Sequence, residues 1–435
     1  MTRRRRRWWC MRADQKRGDF IEGGGRSILT TGASASSPRP RTMAGHTGAT
    51  VALALCCVAL AACTTSRTSD TPNVVTVEVI LTGLQNPRGV ALDAEGGLLV
   101  AEAGSGNDPV DSRQRTGKLT RFIDRNGDGD FADPGETEPW FEHLASYNAM
   151  IEYAPEPGSF IGAMHGRDEV SGPSDVTLHG DARVFLSVDG GFEEFALFEI
   201  SPERSMGRNL SARSNMTGLG LTLDESAIFA TESIRNELIE VTLEDADRRD
   251  IVAFSALDSG QEAVPAGLAI DPRNGDVLVA LFSGVAQADD GSFTPFVPGD
   301  AKVVRVDPLT GQVVDEIVGL TTAVDVAIDR LGNVFVVELA ADHAELFTHG
   351  ADLDDPDAIP RHGGYLRFSG RVTVYPSDGS LPRVLASGLD SPSNITLGDD
   401  GALYVSTGQG TPGRPIPGPD GPTVIVGEVI RITGF

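Results

Sequence analysis

Beyond position 63 the chain has no cysteine; all four lie early, at Cys10, Cys56, Cys57 and Cys63. That absence excludes disulfides, thiol nucleophiles and cysteine-ligated zinc from the rest of the sequence, so a folded body there must hold by packing alone. Histidine is scarce too, at seven in 435 residues. His343, His349 and His362 share one stretch but match no zinc spacing, and His143, His165 and Arg167 stand apart from them. The chain contains no Gly-x-Ser-x-Gly, no phosphate-binding loop and no dinucleotide fingerprint, which removes the commonest nucleophile and nucleotide chemistries. No apolar run reaches the roughly 20 residues of a membrane-spanning helix.

Basic charge is also missing from most of the chain. The first 62 residues hold eleven Lys/Arg against three Asp/Glu; the formal charge is −26 overall, which leaves −34 on the remainder. So acidic a body repels nucleic acid and anionic lipid, and nucleic acid is not expected as a partner. What is plentiful is turn chemistry, with 51 glycines and 26 prolines, the composition of many short strands rather than long helices.

Residues 49–62 are uninterruptedly apolar or small, too short to span and suited to a signal-peptide core. The run ends in Leu60-Ala61-Ala62-Cys63, which resembles the lipobox of bacterial lipoproteins. The resemblance implies cleavage before Cys63, lipid on that cysteine and a polar tether over 63–73. The other reading is a plain signal peptide with an incidental cysteine. Residues 1–42 are expected to be a disordered or untranslated leader, with Met43 as an alternative start and 43–62 as the signal peptide.

The body is repetitive. Six segments carry one pattern: Asn86 to Asp93, Gly172 to Leu178, Asn215 to Leu221, Val264 to Asp271, Thr322 to Asp329 and Ser391 to Leu397. Each is followed by a polar turn, often Asp/Asn-Gly, and a second apolar strand, which makes a hairpin. A third strand usually follows and a fourth often does. Four antiparallel strands per repeat are a propeller blade. The expected fold is therefore all-β: a six-bladed β-propeller over 74–435, with blades near 86–133, 172–210, 215–256, 264–318, 322–386 and 391–433. Val74 to Leu81 reads as a fourth strand without its blade, and the chain stops after a third strand. The N-terminal strand is thus expected to pair with 428–433 and close the last blade, hiding sheet edges.

Long connections at 103–117, 283–300, 340–369 and 408–427 all join a second strand to a third, so they share one face, the expected binding face. Acidic groups fall at matching repeat positions near it. Second strands end on Glu102, Asp189, Glu232 and Glu338, and first strands begin with Asp175, Asp325 and Asn394. Such groups round a channel either cap backbone amides of adjacent blades, hold a second divalent cation, or serve catalysis. A sharper candidate is Asp124-Arg125-Asn126-Gly127-Asp128-Gly129-Asp130, with oxygen ligands at alternate positions as in an EF-hand loop. Asp124, Asn126, Asp128, Asp130 and Glu136, with Asp133 nearby, are the expected Ca2+ ligands of loop 124–136. The competing reading is a solvated turn on the face opposite the long loops.

Gly83-Leu84-Gln85-Asn86-Pro87-Arg88-Gly89, Val100-Ala101-Glu102-Ala103-Gly104-Ser105-Gly106, Gly172-Pro173-Ser174-Asp175-Val176 and Ser187-Val188-Asp189-Gly190-Gly191 resemble the ScyD/ScyE family. That family sits within the broad NHL, gluconolactonase and strictosidine-synthase-like group of six-bladed propellers. The resemblance implies an exported propeller and no settled reaction. Two functions follow as expectations. One is an envelope-anchored, monomeric binding or scaffold module, gripping a small molecule, glycan or protein on the long-loop face and touching the membrane through its lipid alone. The other is an enzyme on the same frame. As a metal-dependent lactonase or hydrolase it would hold its cation with Glu102, Asp325 and Asn394; a quinone-dependent sugar dehydrogenase is the further variant.

Overall fold

Period-two alternation and Asp-Gly-type turns dictate short antiparallel strands, and the computed structural model consists of them. It describes residues 74–106, 115–148, 170–180, 183–189, 196–201, 204, 206–210, 215–282, 286–287, 293–294, 297–341, 366–410, 415–418 and 421–435, among which there is no helix. Cys63 and the leader, together with His165, Arg167, His343, His349 and His362, lie outside the described residues.

Six four-stranded antiparallel sheets form the blades. Blade I comprises Pro87–Leu92, Leu98–Glu102, Gly117–Phe122 and Thr137–Leu144; blade II comprises Pro173–His179, Arg183–Val188, Leu197–Ile200 and Met206–Asn209. Blade III follows with Met216–Leu221, Ala227–Glu232, Glu237–Thr242 and Arg248–Ala253, and blade IV with Pro265–Ile270, Val277–Leu281, Ala301–Val306 and Val313–Leu320. Blade V takes Ala323–Ile328, Val334–Glu338, Gly370–Tyr375 and Arg383–Leu389. Blade VI is built from both ends of the body: Asn394–Leu397, Leu403–Thr407 and Gly427–Thr433, with Thr76–Leu84 as its fourth strand. The closing register runs from Thr76 opposite Thr433 to Leu84 opposite Gly427.

Burial follows position in the blade. Second strands lie mid-sheet with a neighbouring blade on each face, so Leu98–Glu102, Ala227–Glu232, Val277–Leu281, Val334–Glu338 and Leu403–Thr407 are buried at every residue. Strands covered on both faces read as continuous apolar runs. Fourth strands form the rim, and Thr76–Leu84 and Val313–Leu320 are mostly exposed. The apolar core divides into six clusters, one at each seam between neighbouring blades. The cluster between VI and I joins Ile80, Leu81 and Leu84 to Val90, Leu98 and Phe122. Closure therefore buries a seam of the same kind as the other five.

Antiparallel order fixes two faces. First strands begin, and second strands end, at the loop face; the turns between first and second and between third and fourth strands lie at the turn face.

Candidate axial site

The first strands share a defect that builds the axial chemistry. In blades I to V the ladder to the second strand shifts register just after the strand begins, between Pro87 and Val90, Pro173 and Val176, Met216 and Leu219, Pro265 and Leu268, and Ala323 and Asp325. A bulge takes backbone N–H groups out of the ladder, and a buried N–H needs another acceptor. The side chain at this position of one blade supplies it to the next, and blade VI, whose ladder has no such shift, takes part in the same way. Leu219 N–H donates to Asp175 Oδ2 (2.8 Å), Ile395 N–H to Asp325 Oδ2 (2.8 Å) and Val90 N–H to Asn394 Oδ1 (2.9 Å).

Round the axis this position reads Gly89, Asp175, Gly218, Gly267, Asp325, Asn394. The glycines are required by space. A Cβ on Gly267 would lie 1.8 Å from Asp325 Oδ1, and one on Gly89 would lie 2.5 Å from Asp175 Cα. Only three of the six blades can therefore place a side chain in this layer, and those three meet. Because Asn394 Oδ1 is pinned by Val90, its amide nitrogen faces both acids, donating to Asp325 Oδ2 (2.7 Å) and Asp175 Oδ1 (3.4 Å). Blades II and V are opposite in the ring, so Asn394 bridges carboxyls that approach from either side of the axis.

Neither acid keeps its ordinary titration. Burial pushes Asp175 up from 3.8 to about 7, opposed by the hydrogen bonds from Leu219, Val176 and Asn394. Asp325 is raised well above its usual value by burial first and then by the charge of Asp175. Desolvation disfavours a charged carboxylate, and two such groups close together cannot readily both ionise. Below the layer lies a cavity of about 300 Å3. Asp175, Asp325 and Asn394 floor it, Leu92, Leu178 and Leu397 line its wall, and Asp399 stands in the turn at its mouth. It extends from the carboxyl layer toward the turn face, away from the long connections.

The second-strand acids do not join this layer. Glu102 accepts from Gln85 N–H (2.7 Å) and from the Thr120 hydroxyl (3.0 Å), with Lys118 Nζ at 3.2 Å, so its carboxylate is turned outward onto its own third strand. Glu338 repeats the arrangement with Thr321 N–H (2.8 Å) and Arg371. Glu232 accepts from Arg235 N–H (2.6 Å), and Asp189 pairs with Arg88 (3.0 Å). Among the described residues, no group of three or more His, Cys, Asp or Glu side chains is arranged to hold a metal ion.

Loop 124–136 joins the third and fourth strands of blade I at the turn face. Its acids cap its own backbone: Asp124 accepts from Gly127 and Gly129, Asn126 from Asp128, and Glu136 from Arg125 and Asp133. Asp130 accepts from Ala132. Asp133 is raised by partial desolvation and then by Asp128, Glu136, Asp130 and Asp124. Crowded oxygens and like charge are the composition that attracts a hard cation, but here these side chains are spent on the loop's own amides and form no group arranged to hold a metal.

Comparison with known proteins comes down to the fold. No protein-family model and no curated protein matches the chain. Solved structures resemble it as propellers. An AA12-family carbohydrate-active enzyme from Trichoderma reesei, in a calcium structure, is 11% identical, with a TM-score of 0.49 over 83% of this chain and 96% of its own. A catalytically inactive virginiamycin B lyase from Staphylococcus aureus, with quinupristin, is 10% identical, with a TM-score of 0.39 over 83% and 99%. A gluconolactonase from Xanthomonas campestris is 15% identical, with a TM-score of 0.35 over 57% and 68%. At these levels none of the three bears on the chemistry of this chain.

Sequence reasoning missed a set of hydroxyls beside the axial layer. Ser187, Thr231 and Ser406 occupy one register of the second strands, and each donates to a carbonyl of the next blade, Thr217, Ala266 and Arg88 respectively. Ser187 and Thr231 also accept from the bulged N–H groups of Asp175 and Gly218. The available signal was a Ser or Thr at the next-to-last residue of the second strand, repeated in three blades.

Proposed function

We propose that this chain is an envelope-displayed propeller of the ScyD/ScyE type that binds a small molecule in its axial cavity, anchored through Cys63 and braced by calcium in loop 124–136. The observation that carries the reading is the cavity of about 300 Å3 ending on Asp175, Asp325 and Asn394. Its volume is at the small end for ligand pockets, its accessible lining is mostly polar, and convergent polar groups are what such pockets use to orient a ligand. The lactonase-type ligand set of Glu102, Asp325 and Asn394 draws no support from the geometry, since Glu102 is committed to Gln85, Thr120 and Lys118. A glycan or protein on the long-loop face would be a second engagement of the same frame.

The test is a ligand-detected NMR screen of small molecules against the full chain, with metal analysis before and after chelation. The control is Asp399→Trp, an exposed turn position at the cavity mouth. Compounds that bind the wild type are expected to lose at least about tenfold in affinity in Asp399→Trp, about 1.4 kcal/mol. Equal binding to both proteins sinks the axial reading, and metal-dependent turnover of a lactone would replace it with the enzyme.

A further inference from the structure

The cavity reading uses the axial layer as a floor, but the layer also joins the ring. Asp325 ties blade V to VI, Asn394 ties VI to I, and Asp175 ties II to III, each through a backbone N–H of the following blade. The Asn394 amide then links the two acids across the axis. We infer that this bridge is a proton-held lock, keeping the ring tight while at least one of Asp175 and Asp325 retains its proton and loosening it when both are ionised.

Beyond the backbone N–H groups and the Asn394 amide, the described residues offer the pair no cationic partner. The six first strands carry two side chains that can be cationic. Arg88 is spent on Asp189 (3.0 Å) and the Val170 carbonyl (2.6 Å), and His179 meets Glu225 (3.6 Å) near the turn face. The remaining ionisable group on the cavity wall is Asp399, another acid. Val90, Leu219, Leu268 and Ile395 supply only backbone and apolar surface around the layer. The neutral Asn394 amide has two hydrogens, and both are already placed on the acids. A second negative charge would therefore meet no cation among the described residues, and the relief open to it is separation of the blades or entry of water.

The direction of the pH effect follows. Asp175 stands at about 7 in the folded chain against an ordinary 3.8, so between those values the folded state holds a proton that the unfolded chain has released. Stability then falls as pH rises through that window, and Asp325, raised in the same sense, extends the fall upward. This is the reverse of a salt-bridged carboxylate, whose contribution is lost on acidification.

The experiment is urea unfolding of the full chain from about pH 5 to about pH 9, for wild type, Asp175→Asn and Asn394→Asp. It is paired with infrared titration of the protonated-carboxyl band. Relative to Asp175→Asn, the wild-type ratio of folded to unfolded protein is expected to fall by up to about tenfold per pH unit through the window. Asn394→Asp, with a third acid and no bridging amide, should fall more steeply. The wild-type band should persist at neutral pH, fade on raising pH and be reduced in Asp175→Asn. A pH slope equal to that of Asp175→Asn overturns the lock, as does a wild type without the band near pH 6. Should Asp175→Asn fail to fold, the infrared titration of the wild type decides alone.

Discussion

Ring closure by the strand ladder and the apolar seam is reinforced by one aromatic side chain from the blade I loop, and Phe131→Ala tests how much that clasp contributes. Strand Thr76–Leu84 pairs with Gly427–Thr433, but its register shifts between Val79 and Leu81, leaving Ile80 as an extra residue. The carbonyl of Ile80 accepts instead from Phe131 N–H (2.9 Å), in the blade I loop 124–136. The Phe131 ring, 7% exposed, joins the cluster containing Ile80, Leu81, Leu84, Tyr404 and Val429. The loop thus grips the closing strand by one hydrogen bond and one ring. Truncating a buried Phe costs about 3 to 5 kcal/mol; the backbone bond survives here and the ring sits near the surface, so about 3 kcal/mol is expected. Amides of 76–84 and 427–433 should then exchange about a hundredfold faster, by the rule of tenfold per 1.4 kcal/mol. Mass-spectrometric hydrogen exchange reads this directly, with Leu381→Ala as control, since Leu381 is 87% exposed and its loss should fall within about 0.5 kcal/mol. If the closing strands exchange at the same rate in both variants, closure does not depend on Phe131 and the clasp is not what holds the seam.

Two further outcomes follow from close contacts and from charge. Gly267→Ala drives a methyl into the buried Asp325 carboxyl and to 2.8 Å from Asp325 Cα, and should cost about 3 kcal/mol, the upper end for overpacking, because that carboxyl is held by the ring. Gly401→Ala, strained at φ +79° but in open space, should cost about 1 kcal/mol; denaturation midpoints in the reverse order refute the space argument. Calcium at about 100 times its Kd should raise stability by about 2.7 kcal/mol over the chelated protein. Asp128→Ala should abolish that gain, and a melting temperature indifferent to both calcium and chelator removes calcium from loop 124–136.

Much of the fold was legible because a propeller states itself six times. The buried second strands, such as Val277–Leu281 and Val334–Glu338, are apolar at nearly every residue, and the orphan strand at the N-terminus needed a partner that Gly427–Thr433 supplied. Fourth strands were harder to see. Thr137–Leu144 contains a proline and is mostly exposed or half-buried, so no clean alternation marks it. In the axial site, repeat position grouped Asp175, Asp325 and Asn394, whose side chains meet at the axis. It grouped Glu102 and Glu338 equally well, yet their carboxylates turn outward. The difference lies in the first-strand bulge, which decides where a side chain points and leaves no residue signature of its own. Phe131 was unreadable for a related reason: its partner is the carbonyl of a bulged residue about fifty positions upstream.

The alternation of glycine and acid round the axis links closure to binding more closely than either alone would suggest. Neighbouring inner strands approach so closely that a Cβ is excluded at Gly89, Gly218 and Gly267. The bulges meanwhile leave N–H groups that need acceptors. Acid or amide on the other three blades meets both constraints, at the expense of burying two carboxyls. Most of their hydrogen-bonding capacity is then committed to the fold. Asp175 accepts from Val176, Leu219 and Asn394, and Asp325 from Val326, Ile395 and Asn394. A ligand in the cavity below meets these groups as members of the ring lock, so whatever it does to their protonation it also does to the seams. Substituting either acid consequently perturbs binding and closure together, whereas Asp399, at the mouth and outside the lock, perturbs binding alone. A ligand that shifts the pH dependence of unfolding in wild type and not in Asp399→Trp would tie the two properties to one site.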